Sequence, residues 1–144
     1  MKNILFIFLI ILYSCGSNPE KHSETEEEVI YSEDLVLHGN YLVKQIGSRN
    51  LNSEGVILVF DQLKNEVSGN AGCNRFSSGF VLSGGAKVSF QQPVSTKMYC
   101  EGKMETEKAL ISSIEQVSEV KQQEGNLIFY SENNELLLVI EKQD

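Results

Sequence analysis

Between Gly39 and the C-terminus, apolar residues come in short alternating runs, each closed by turn-forming residues. This period of two points to strands half-buried on one face of an antiparallel sheet. The expected strands are Tyr41 to Ile46, Val56 to Asp61, Glu66 to Ser68, Gly79 to Leu82 and Lys87 to Gln91. Ser53-Glu54-Gly55, Asp61-Gln62-Leu63-Lys64-Asn65 and Ser83-Gly84-Gly85 punctuate them, so successive strands should pair as hairpins. The period changes once, from Lys103 to Val117. There Met104, Leu110, Ile111, Ile114 and Val117 share one side of a helix, as in a helix laid on a sheet. Val120 to Gln122, Asn126 to Tyr130 and Leu136 to Glu141 then form a meander of three strands. The expected fold is α+β: a strongly curved antiparallel sheet or incomplete β-barrel of about eight strands packed with one helix.

One residue breaks the helix pattern. Glu107 falls inside the apolar stripe, where an isolated carboxylate would be prohibitively costly. It must either reach solvent at the rim or find a partner, and Arg75 is the cation that the glycine-rich segment offers for a salt bridge.

The N-terminus reads as an export signal. Ile4 to Leu12 is an apolar run of nine residues after Met1-Lys2-Asn3. A membrane-spanning helix needs about 20 apolar residues, so the run fits a secretory signal. Leu12-Tyr13-Ser14-Cys15 resembles the bacterial lipobox, with Cys15 as the acylated residue of the mature chain. Glu20, Glu24, Glu26, Glu27, Glu28, Glu33 and Asp34 follow, opposed only by Lys21, which suits a disordered acidic tether. The expected organisation is a signal peptide over 1–14, lipidated Cys15 and tether over 15–38, and one folded domain over 39–144. The net charge of -8 lies mostly in the tether, and no basic stripe is present to neutralise nucleic acid phosphates.

The stretch Gly69-Asn70-Ala71-Gly72-Cys73-Asn74-Arg75-Phe76-Ser77-Ser78-Gly79 is too rich in glycine for a regular element and reads as a shaped turn. With Cys15 set aside, Cys73 and Cys100 remain as a pair. A structural disulfide is the economical reading in an oxidising compartment, with two separate buried thiols or redox chemistry as the alternatives. Asn74, Arg75, Thr96 and Glu107 are the candidate polar cluster. They could fix the loops through hydrogen bonds, or Arg75 could receive an anion or a peptide carboxylate. Neither His22 nor His38 is placed to serve as a catalytic base, and the histidines and cysteines fit no metal-ligand spacing. Enzymatic activity, a metal and a cofactor are therefore not expected.

Gly39-Asn40-Tyr41-Leu42-Val43, Ser68 to Phe76, Thr96-Lys97-Met98-Tyr99-Cys100 and Met104-Glu105-Thr106-Glu107 together resemble the META domain (HslJ-like) family. Tyr41 stands where that family usually has Trp, and Tyr99 where a small residue is common. The resemblance implies a compact β-rich domain in a bacterial envelope lipoprotein, associated in some members with heat shock, drug tolerance or virulence, and with no catalytic activity attached. The expected role is a monomeric, non-enzymatic module at the outer membrane, facing the periplasm or the cell surface. It would be anchored through Cys15, would bind a protein partner, and would support outer-membrane function or stress tolerance. The alternatives are a carrier of a small apolar ligand or lipid, and a thiol-redox protein using Cys73 and Cys100.

Overall fold

The computed structural model describes residues 35–51 and 54–144. Cys15 and the acidic run from Glu20 to Asp34 lie outside the described residues. Ten strands and one helix follow in order: β1 (Gly39–Ile46), β2 (Arg49–Asn50), β3 (Ile57–Asp61), β4 (Glu66–Asn70), β5 (Arg75–Leu82), β6 (Val88–Phe90), β7 (Val94–Ser95), α1 (Met104–Gln116), β8 (Val117–Gln123), β9 (Asn126–Ser131) and β10 (Leu136–Lys142).

Eight strands form one antiparallel path in the order β6-β5-β4-β3-β1-β10-β9-β8. β2 pairs with β1, and β7 pairs with β5. The ends of the path nearly meet: Lys87 bridges Glu119, and the Val120 N–H donates to the Ala86 carbonyl at 2.8 Å. Near closure removes most of the exposed strand edge. The curvature has local causes. The ladders slip between Val43 and Gln45, between Leu136 and Leu138, and between Val117 and Glu119, and such bulges bend a strand. Gly69 marks a close approach between strands, because a Cβ there would lie 2.7 Å from the Ile57 carbonyl oxygen. The sheet could not keep that spacing with any other residue.

The inward faces fill the barrel. Phe60 is central, with ring centroids 5.5 Å from Tyr41, 5.7 Å from Phe80, 6.3 Å from Phe90 and 6.5 Å from Phe129. α1 adds Leu110 and Ile114 to this core, as the stripe predicts, while Met104 at its first turn is exposed.

The structure departs from the sequence reading in several places. β5 begins at Arg75 and not at Gly79, because Phe76, Ser78 and Phe80 all point inward in one continued alternation. β8 starts directly at the end of α1, and the two-residue strands β2 and β7 carry no pattern of their own. The packed part also begins ahead of Gly39. Leu37 is fully buried in the core, and its N–H donates to Gln62 Oε1 at 2.8 Å.

Candidate functional site

The glycine-rich turn, the segment entering α1 and the first turns of α1 meet at one corner of the barrel. Gly72, at φ 106°, turns the chain between β4 and β5, and a Cβ there would lie 3.4 Å from the Lys103 side chain. This places Cys73 and Asn74 on the interior side of the sheet. Cys73 is joined to Cys100 by a disulfide, with Cα atoms 5.8 Å apart.

Asn74 is 1% exposed and ties three segments together. Its Nδ2 donates to Glu107 Oε1 at 3.0 Å, to Glu107 Oε2 at 2.9 Å and to the Met98 carbonyl at 3.0 Å. Its Oδ1 accepts from the Met98 N–H at 2.7 Å and from the Thr96 hydroxyl at 2.8 Å. Its backbone N–H donates to Glu107 Oε2 at 3.2 Å. A carboxylate only accepts, so the Asn74 amide group must turn its nitrogen toward Glu107 and its oxygen toward the loop. The hydrogen-bonding capacity of the side chain is then used in full, and no buried side-chain polar atom among the described residues lacks a partner. Such satisfaction is the condition under which a buried polar group fixes a structure without heavy penalty.

Thr96 extends the network, since its hydroxyl accepts the Arg75 N–H at 3.3 Å. A second tie holds the same helix. Buried Thr106 donates to Glu54 Oε2 at 2.8 Å, and Glu54 Oε1 accepts from Arg49 at 2.7 Å.

Three of the four expected cluster residues therefore join through their side chains: Asn74, Thr96 and Glu107. The fourth contributes only backbone. Glu107 does not pair with Arg75, and it does not sit at the rim, being 8% exposed. The reason is the alternation within β5: adjacent strand residues face opposite sides, so with Phe76, Ser78 and Phe80 turned inward, Arg75 must point out. The parity of Phe76 and Phe80 could have placed Asn74 inside from sequence alone. What sequence reasoning missed is the consequence of the network. Residues 96–100 are fastened at Thr96, Met98 and Cys100, yet Met98 and Tyr99 are 58% and 82% exposed.

Arg75 opens onto a groove of about 910 Å³ on the outer surface, lined also by Val59, Ser68, Val94 and Lys103. A second groove of about 800 Å³ adjoins it and shares Ser77 and Val94. Among the described residues, no group of three or more His, Cys, Asp or Glu side chains is placed to hold a metal ion, and no helix is long and apolar enough to cross a membrane.

A nearly closed antiparallel barrel with one helix at its corner, tied by a disulfide and a buried amide, defines a small α+β domain class. The META domain family matches residues 33–144, and the chain belongs to that family. An NMR structure of a protein from Burkholderia xenovorans superposes with a TM-score of 0.60 at 18% identity, covering 74% of this chain and 83% of that one. A further NMR structure gives a TM-score of 0.59 at 16% identity, covering 78% of this chain and 95% of that one. These likenesses concern the fold. No curated protein matches this chain.

Proposed function

We propose that this protein is a non-enzymatic binding module of the bacterial envelope, anchored in the outer membrane through Cys15, where it supports membrane function or stress tolerance by holding a protein partner. The observation that carries this reading is the fastened loop. Met98 and Tyr99 are presented to solvent while Asn74, Thr96 and the disulfide hold the backbone beneath them. A backbone that is already fixed loses little entropy on binding, which is how the apolar and aromatic side chains it carries gain affinity as anchors. Met104, also exposed, adds to the same end of the domain. Carriage of an apolar ligand is less well supported, because aromatic rings fill the barrel interior and both grooves open outward. Thiol chemistry is disfavoured by the bond between Cys73 and Cys100 and by the 7% exposure of Cys73.

The test is photo-crosslinking of the acylated full chain in its own membrane, with the reactive group at position 99 or at position 63. Leu63 is 93% exposed on the β3–β4 turn and serves as a control. One discrete crosslinked species from 99 that is absent from 63 is the expected result. The same pattern from both positions, or none from 99, overturns the proposal.

A further inference from the structure

On the outer face of the sheet, the register sets Val59, Ser68, Ser77 and Val94 side by side across β3, β4, β5 and β7. Ile57, Asn70 and Arg75 form the next row. With strands spaced about 4.8 Å apart, Val59 and Val94 stand roughly 14 Å from one another as walls, and the two serines form the floor between them. Both valines are exposed, at 40% and 73%. The floor continues into the second groove, where Gln91 lies across Gly79. A Cβ at Gly79 would meet the Gln91 amide oxygen at 2.7 Å, so glycine is what lets that amide lie along the trough. Gln92 and Asn65 line the same half.

The charge is uneven along this trough. Arg75 and Lys103 line its first half, and among the described residues no carboxylate pairs with either. Glu54, the acid in that half, is already held by Arg49 and Thr106. Glu66 lies in the other half together with Lys64, whose ammonium is already paired with Asp61 at 2.9 Å, so that half carries no free positive charge. A ligand must therefore bring negative charge to one end and hydrogen-bonding groups to the other, with aliphatic side chains between.

We infer that this trough docks an extended acidic peptide segment of a partner protein, with carboxylates at Arg75 and Lys103, aliphatic side chains between Val59 and Val94, and backbone amides at Gln91 and Gln92. A neutral glycan fits less well: the aromatic rings lining the trough, Phe76 and Phe80, are 4% and 1% exposed and offer no stacking surface. The inference rests on the binding-module reading but uses a different surface from Met98 and Tyr99.

The probe is a fluorescein-labelled peptide of alternating glutamate and valine, titrated against the full chain in detergent. Its lysine-for-glutamate counterpart and a neutral N-acetylated oligosaccharide serve as comparisons. Saturable binding of the glutamate peptide is expected, weakened about tenfold by Arg75→Ala and by raised salt, with smaller loss in Lys103→Ala. Val94→Asp should also weaken binding. All three side chains are exposed, so the variants should fold. Tyr99→Ser should leave peptide affinity unchanged, and this separates the trough from the loop: failed crosslinking at 99 overturns the proposed function as carried by the loop, while intact peptide binding keeps the trough as a docking site. Equal binding of the glutamate and lysine peptides, preference for the oligosaccharide, or no binding of any probe overturns the inference. So does a gain in affinity when the carboxylates of 20–34 are replaced by amides, since the chain's own tether would then be the occupant.

Discussion

Phe60 and Asn74 are equally hidden, at 2% and 1% exposure, but they are held in place by opposite means. Phe60 touches other rings, and its environment would accept another apolar group of similar volume with modest loss. Asn74 sits among directional bonds that its own amide alone satisfies. The barrel interior gains stability from buried area, whereas the corner near the disulfide gains a single geometry from complete pairing. What keeps this chain folded is thus distinct from what positions its loop.

Removing the ring should have the largest effect. Phe60→Ala is expected to cost about 4 kcal/mol, from lost transfer energy and a cavity the neighbouring rings cannot close, read as a lowered midpoint in urea unfolding. Opening the disulfide comes next. Cys73→Ala, or reductant, should cost about 3 kcal/mol through the freed 27-residue separation. Equal thermal midpoints with and without reductant would show that the corner does not depend on the bond.

Asn74→Ala should cost about 2 kcal/mol, since Glu107 would stay buried without its amide partner. Paired with Glu107→Gln in a double-mutant cycle it should be clearly non-additive, whereas Arg75→Ala with Glu107→Gln should be additive. Coupling in the second cycle would contradict the opposite orientations of Asn74 and Arg75.

The smallest effect is confined to alkaline pH. Burial raises the Tyr41 phenol above its ordinary value of 10.0, and a hydrogen bond with the His38 backbone offsets part of that rise. The neutral phenol is favoured by the fold, so this stabilisation is complete below about pH 10 and is lost as pH rises through the folded value. Tyr41→Phe should lack that alkaline component, and identical alkaline profiles would place the phenol in water.

The barrel was largely legible in the sequence because alternation and turn residues report directly on which side of a sheet each residue faces. The helix was legible for the same reason at its own period, and Glu107 was visible as a charge in the wrong place. Its partner was not, because opposite charge suggested Arg75 while strand parity, the stronger constraint, selected Asn74. The start of β5 was hidden by Ser77, Ser78 and the glycines, whose small polar side chains resemble a turn even when they occupy a ladder. The trough could not be read at all. It exists only once register brings Val59 and Val94, distant in sequence, into one row.

Amide hydrogen exchange reads out whether the buried amide of Asn74 and the carboxylate of Glu107 hold the exposed loop rigid. In the oxidised protein the Met98 N–H, bonded to buried Asn74 Oδ1, should exchange far more slowly than the Leu63 N–H, which only the partly exposed Asp61 carboxylate accepts, at 3.1 Å, on the β3–β4 turn. Glu107→Gln should accelerate Met98 and Asn74 selectively while Val43 and Phe129 in the barrel keep their protection. If Met98 exchanges as fast as Leu63 in the unmodified protein, or if Glu107→Gln leaves its rate unchanged, the clamp does not hold the loop.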